Sequence, residues 1–247
     1  NLTTVVINSG TSIPNRGFDD CKNLISVTIP DSVTSMGENA FVAQYQQDPC
    51  PPEGGIIKES WLHYYTKAQG ESIDPVKYRR IFLSWDTANK TGPNNAYSAC
   101  CVILMTRESN MYKYYLLDVV RGKWEMPDLI RQVEKVYCYW KYEKGGQHLV
   151  RLLIEDKASG TQLIQMLMAQ RDRHGYNFAI EPIKPDTDKT SRLMGASAYI
   201  ENGTLRFPQE APWLSDFKKE LLGFPNGKYK DQVDALTQCI NYVVQHS

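Results

Sequence analysis

The sequence predicts an α/β protein: a mixed sheet flanked by helices, preceded by a short repeat-like β segment. Three observations carry this reading. Apolar runs rich in β-branched and aromatic residues follow one another between residues 79 and 122, the signature of consecutive strands. Beyond them, stretches of helical period alternate with short apolar runs of the kind found in sheets covered on both faces. Residues 1–41 are different in style and repeat on themselves at a period of about 22 residues.

The elements can be justified in order. "LTTVVINSGTSIPNRGF" (Leu2–Phe18) aligns with "LISVTIPDSVTSMGENAF" (Leu24–Phe41) with one gap, so that Leu2 matches Leu24, Val5 matches Val27, Ile7 matches Ile29 and Phe18 matches Phe41. A short strand plus a turn per copy is the physical sense of such a pattern. "QDPCPPEGG" (Gln47–Gly55) is Pro/Gly-rich and reads as a linker. The expected organisation is a repeat segment over 1–41, a linker region over 42–75 and a main domain over 76–247. "RRIFLSWD" (Arg79–Asp86), "AYSACCVILMT" (Ala96–Thr106) and "YKYYLLDVVRG" (Tyr112–Gly122) are three strands, antiparallel because short loops join them.

The rest alternates. Leu129, Val133, Val136 and Trp140 give Glu125–Tyr142 a helical period, and "HLVRLLIED" (His148–Asp156) is a buried strand. Ser159–Gly175 is a helix with a Ser or Thr cap and a closing Gly. Phe178–Pro185 is a strand; Asp188–Gly203, Ala211–Pro225 and Asp231–Gln245 are helices, with a short strand near "TLRFP". Strands and helices in the order βββαβαβααα form the ribonuclease H-like arrangement.

Composition bounds the function. The chain has 247 residues, 42% hydrophobic and 23% charged, with 28 basic against 28 acidic residues. A net charge of zero argues against coating nucleic acid by bulk charge, while leaving room for a local basic groove. No apolar run is long enough for a membrane span, and the first residues lack the pattern of a signal peptide. The chain begins as if cut from a longer sequence. Six cysteines, Cys21, Cys50, Cys100, Cys101, Cys138 and Cys239, form no C-x-x-C pair, and only four His are present. The expectation is buried free thiols in a reducing compartment rather than a zinc site.

The chemistry lies in the acids. In the expected arrangement the first strand and the strand at Val150–Ile154 are parallel neighbours, and ligands of open α/β sheets gather at the carboxyl ends of strands. Asp86 ends the first of these strands, and Glu155 and Asp156 end the second. A further acid comes from the last helix, either Asp231 or Asp234, which share a face three residues apart. Crowded carboxylates repel one another. Oxygen-only ligands of this kind suit Mg²⁺ or Mn²⁺. Two such ions about 4 Å apart can activate water and stabilise the leaving oxygen in phosphodiester cleavage.

Several stretches carry a family resemblance: "FVAQYQQDPCPPEGGIIKESWLHYY", "FLSWDTANK", "VVRGKWEMPDLIRQV", "LIEDKASGTQLIQML", "IKPDTDKTSRLMGASAYIENGTLRFP" and "YKDQVDALTQ". From Phe41 to Val244 the chain resembles the C-terminal nuclease domain of the large terminase subunit of tailed phages and prophages. Residues 1–41 resemble the BspA-type leucine-rich repeat. The terminase resemblance implies a metal-dependent endodeoxyribonuclease that cuts concatemeric viral DNA during genome packaging. It implies Asp86, Glu155 and Asp231 as the catalytic and metal-binding acids, with Asp156 and Asp234 as further candidates. Many members carry two consecutive Asp at the last motif, where this chain has Lys230–Asp231. Lys157, Lys184, Lys189 and Arg192 surround the expected site and are the candidate DNA-phosphate contacts. The implied partners are double-stranded DNA, the portal and the small terminase subunit, in the cytoplasm of a bacterial host. No membrane partner is expected. The chain has no G-x-x-x-x-G-K-[ST] phosphate loop, so no bound nucleotide and no ATPase motor are expected of it.

A reading from another class is a non-catalytic scaffold, in which a relic nuclease domain is joined to a partner-binding repeat segment. Other features have plain readings. "TGPNNA" (Thr91–Ala96) is a hairpin turn or a DNA-touching loop. Tyr112, Tyr114 and Tyr115 are strand surface. His174 closes a helix and has no catalytic role.

Overall fold

The computed structural model describes residues 4–7, 12–13, 26–36, 55–66, 80–88, 97–108, 110–143, 149–174, 178–184 and 188–246. The chain divides into two compact units, Asn1–Pro52 and Glu53–Ser247. In the first unit, β1 (Thr4–Val6) pairs in parallel with β3 (Ser26–Thr28), and β2 (Ser12–Ile13) pairs in parallel with β4 (Ser35–Met36). Val5 lies opposite Val27, the same correspondence as in the aligned repeats. Leu2, Leu24, Phe18 and Phe41 lie outside the described residues.

The second unit is built on a seven-stranded sheet. Within it, β6 (Arg80–Asp86) pairs antiparallel with β7 (Ser98–Glu108) on one side and parallel with β9 (Leu149–Glu155) on the other. β8 (Met111–Gly122) follows β7 as an antiparallel hairpin partner, and β10 (Ile180–Ile183) extends the sheet in parallel beyond β9. β11 (Leu205–Pro208) lies beside β8, and β5 (Tyr64–Tyr65) closes that edge.

Helices cover both faces because strand residues on both faces are apolar. Ile81, Leu83, Trp85, Cys100, Val102, Leu152 and Ile154 pack against α1 (Met126–Cys138) and α2 (Ser159–His174). Phe82, Cys101, Ile103, Leu116 and Leu153 face α3 (Lys189–Glu201), α4 (Leu214–Gly223) and α5 (Asp231–Gln245). Alternate residues of one strand thus enter opposite cores, as a period of two requires. The core thiols of Cys100, Cys101 and Cys239 are free and fully buried, and burial raises their pKa well above the ordinary value.

Three sequence-based readings change. The region read as a linker includes residues 55–66, which belong to the second unit. There, β5 pairs with β11, and the buried Tyr65 hydroxyl donates to the Leu116 carbonyl at 2.7 Å. Pro and Gly density upstream masked this short edge strand. Tyr114 and Tyr115 are buried, not surface, because helices cover both faces of β8. The helix read through Tyr142 keeps α geometry only to Cys138 and ends in a π turn over Tyr139–Glu143. Thr91–Ala96 lies outside the described residues.

The join between β9 and α2 is tight. Asp156 N–H donates to the Ile183 carbonyl at 2.8 Å, and Ala158 adopts φ of 50°. A Cβ placed on Gly160 would stand 1.9 Å from the Glu155 carbonyl oxygen, so only glycine lets the helix start this close to the strand end. Gly160→Ala is therefore expected to lower unfolding stability by ~1–3 kcal/mol, measured by urea denaturation.

Candidate active site

The strand ends bring the first acids together. β6 and β9 run parallel in register from Arg80–Leu149 to Trp85–Ile154, so Asp86 and Glu155 leave the sheet at the same edge. The loop after Asp86 is tied to the start of α2: Thr87 Oγ1 and Ser159 Oγ lie 2.8 Å apart, and the Ser159 hydroxyl donates to the Thr87 carbonyl at 2.9 Å.

Helix α5 brings the others. Its docking face holds Asp231, Asp234 and Gln238, spaced by three and four residues as one helix face requires. Gln238 Nε2 donates to Ser84 Oγ at 3.0 Å and lies 3.4 Å from the Trp85 carbonyl and 3.5 Å from the Leu153 carbonyl. One amide thus clamps α5 onto both site-bearing strands. Asp231 and Asp234 are buried at 7% and 2% exposure. That is costly for carboxylates unless countercharge is near.

Burial is the first influence on each of these carboxyls, and neighbouring charges are the second. The Asp86 carboxyl is pushed up to about 8, first by burial, then by the charge of Asp234 and to a lesser extent by Glu155 and Asp231, against the lowering effect of Lys189. Burial also raises Asp231, opposed by the Tyr97 N–H, which donates to Asp231 Oδ2 at 3.2 Å. Burial raises Asp234 as well, opposed by Lys189. Burial works against the Lys189 charge, but the hydrogen bond to Asp234 and the nearby acids outweigh it, so its pKa stands above the ordinary lysine value.

Each expected site residue has a definite place. Asp86 and Glu155 leave the sheet at one edge, and Asp234, Glu155 and Asp231 are near enough for their charges to act on Asp86. Asp156 turns aside and accepts from Thr161 Oγ1 at 2.8 Å in the first turn of α2. Lys157 and Lys184 are exposed just beyond the ends of β9 and β10. Lys189 and Arg192 are engaged inward. Lys189 Nζ donates to Asp234 Oδ2, and Arg192, only 9% exposed, has Nη2 3.7 Å from Asp234 Oδ1. The expectation of Arg192 on the groove rim is thus corrected: α3 starts at Asp188, whose carboxylate caps it by accepting from Thr190 and Ser191 N–H. That start turns Arg192 toward α5.

Sequence reading missed a second flank. Arg121, at the end of β8, lies over the Tyr97 ring at 4.7 Å and the Tyr229 ring at 6.0 Å and reaches Glu220 at 3.2 Å and Asp216 at 3.4 Å. Lys123 lies over Tyr97 at 4.8 Å and Lys228 over Tyr229 at 5.1 Å. No motif announces this cluster, because its members come from four places in the chain: before β7, the end of β8, α4 and the loop before α5.

The donor chemistry suits a hard divalent cation. Asp86, Asp231 and Asp234 offer oxygen donors on one side of the sheet edge, and Asp234 Oδ1 is buried without a hydrogen bond, facing Arg192 Nη2 at 3.7 Å. Among the described residues, no three His, Cys, Asp or Glu side chains already stand together as a ready metal-binding group.

A family model described as the terminase RNaseH-like domain matches residues 83–242. The chain belongs to the terminase RNaseH-like domain family. Asp86, Glu155, Asp231 and Asp234 of this terminase domain all lie inside the match. No curated relative matches the chain. Among solved structures, the inhibitor-bound, Mn-soaked nuclease domain of human cytomegalovirus terminase is similar, with a TM-score of 0.50 at 9% identity, covering 76% of this chain and 95% of that one. The large terminase of a thermophilic bacteriophage, in complex with ADP, gives a TM-score of 0.48 at 10% identity, covering 69% of this chain and 41% of that one. The zinc-bound large terminase nuclease of thermophilic phage G20c gives 0.44 at 16% identity, covering 66% of this chain and 81% of that one. At these identities the likeness, resting on the cytomegalovirus domain, is one of fold: ribonuclease H-like. The chain spans less than half the length of the ADP-bound phage terminase. Among the described residues, no helix is long and apolar enough to cross a membrane.

The burial of Asp86 among acid neighbours predicts a pH dependence. Asp86 rises from an ordinary 3.8 to about 8 in the folded, metal-free protein. Between those values the folded protein keeps a proton that the unfolded chain has released, so stability falls as pH rises through the window and levels off above it. In EDTA, Asp86→Asn should melt at a higher temperature than the unsubstituted protein near about pH 9, with the difference shrinking toward about pH 5.

Proposed function

We propose that this domain is a metal-dependent DNA endonuclease of large-terminase type, which cuts concatemeric viral DNA during packaging. The observation that carries the reading is that Asp86 and Glu155 end two parallel neighbouring strands while α5 brings Asp231 and Asp234 to the same edge, where burial first and then these neighbours push Asp86 up to about 8. Membership of the terminase family supports it, as does the Mn-soaked state named for the cytomegalovirus nuclease domain.

Asp86, Glu155 and Asp231 would hold Mg²⁺ or Mn²⁺, with Asp234 beside them as a further candidate. Bound there, two such ions would make a water more acidic and stabilise negative charge on the phosphate. The protein's own part is to gather ligands and to keep them in place. Gln238 fixes α5 against the strands, and the Tyr97 N–H orients the Asp231 carboxylate. Lys189 and Arg192 balance Asp234. Exposed Lys157 and Lys184 would take DNA phosphates, giving binding that is insensitive to base sequence and weakens with salt. Portal and small-subunit contacts belong to the same packaging role.

Incubation of the full chain with supercoiled plasmid tests the proposal. Cleavage is expected with Mn²⁺ or Mg²⁺ and none with EDTA. Asp86→Asn, Glu155→Gln and Asp231→Asn should each reduce it by about 100-fold or more while the protein stays folded. Undiminished nicking by Asp86→Asn, or cleavage that survives EDTA, would sink the metal assignment.

The repeat-like segment is read as an appended remnant of a BspA-type array, since a couple of repeats leave their stacking faces open. Every proposed metal ligand lies from Asp86 onward. Deleting residues 1–41 should leave plasmid cleavage within a few-fold of the full chain. A truncated protein that folds and binds metal yet no longer cuts would show that the segment helps form the DNA groove.

A further inference from the structure

Helix α5 carries two of the site acids in its first turn, but its own N-cap cannot hold that turn. The N-cap is Lys230, whose side chain makes no capping hydrogen bond. An ammonium has donors only, whereas the first N–H groups of a helix need acceptors. The acceptor comes from a different helix. Glu220, in the last turns of α4 and 6% exposed, accepts from the Gln232 N–H at 2.6 Å and the Val233 N–H at 3.3 Å through Oε1. These are the second and third residues of α5, the two that an ordinary N-cap side chain serves.

The other carboxylate oxygen is held as well. Glu220 Oε2 accepts from Gln232 Nε2 at 2.6 Å and from Arg121 Nη1 at 3.2 Å. Arg121 in turn lies over Tyr97, whose backbone N–H binds Asp231. A buried carboxylate is expensive where an apolar residue would fill the space. Of its four hydrogen bonds, three go to the turn that bears the acids, and the fourth goes to the arginine that packs on the ring beside them.

We propose that Glu220 is a positioning residue for the acid site: it caps α5 from α4 and so sets where Asp231 and Asp234 stand relative to Asp86. The inference rests on the reading of these acids as a metal site. It adds a residue that no motif spacing points to, eleven positions before the acid it serves.

The test uses the full chain and two readouts: backbone hydrogen–deuterium exchange over residues 230–236, and Mn²⁺ affinity from titration of free Mn²⁺ by electron paramagnetic resonance. Glu220→Ala should speed exchange in that turn and weaken Mn²⁺ binding by about fivefold or more. Adding Lys230→Ser to that variant supplies a local cap and should restore both readouts. A role in packing alone would not be rescued this way. Folded Glu220→Ala with unchanged exchange and Mn²⁺ affinity overturns the proposal, as does failure of Lys230→Ser to restore them. If Glu220→Ala does not fold, the double variant decides: a folded double variant with restored Mn²⁺ affinity supports the remote cap, and an unfolded one overturns it. Should the unsubstituted chain bind no Mn²⁺, the metal reading fails, while the exchange readout still judges the cap.

Discussion

Like-charge crowding at one sheet edge is the constraint around which the second unit is arranged. Asp86 and Glu155 come together because β6 and β9 are parallel neighbours in register. Asp231 and Asp234 join them from a helix packed across the same strands. Each burial disfavours the charged form, and each added neighbour raises the cost, which is why Asp86 stands near 8. A site of this kind persists only if the rest of the fold over-determines it. The cores on the two sheet faces supply that determination: β6 and β9 are buried between them, leaving their carboxyl ends no freedom to spread apart.

Helix α5 is where most of that determination is applied. Gln238 binds the strands below, Glu220 holds the first turn from the side, and the Tyr97 N–H meets Asp231. Lys189 and Arg192 approach Asp234 from α3. Lys189 does not cancel the burden on Asp86, since the net effect of its surroundings is still to raise it. What remains is a surplus of negative charge around Asp86, an arrangement that a divalent cation would relieve.

Countercharge also separates the two groups of basic residues. Those that the sequence placed around the site split in the fold: Lys157 and Lys184 face solvent, while Arg192 is buried against α5. Spacing along a helix cannot tell these apart, because the side facing the partner depends on where the helix begins, and Asp188 sets that start by capping α3.

The sequence by itself determined the order of most elements, the ends of the apolar runs that carry Asp86 and Glu155, and the helix that delivers Asp231 and Asp234. These follow from periodicity and from the ends of apolar runs, which are local properties. It also carried the offset at which β1 and β3 pair, as the alignment of Val5 with Val27. Only the tertiary structure decided the edge strand β5, the burial of Tyr114 and Tyr115, the inward turn of Arg192, and the group formed by Tyr97, Arg121, Glu220 and Tyr229. Each of these depends on contacts between residues far apart in the chain, such as Arg121 with Glu220 or Tyr65 with Leu116. A carboxylate that caps another helix looks, in sequence, like any acid on an amphipathic turn. Its role exists only once packing has removed the water that would otherwise satisfy those N–H groups.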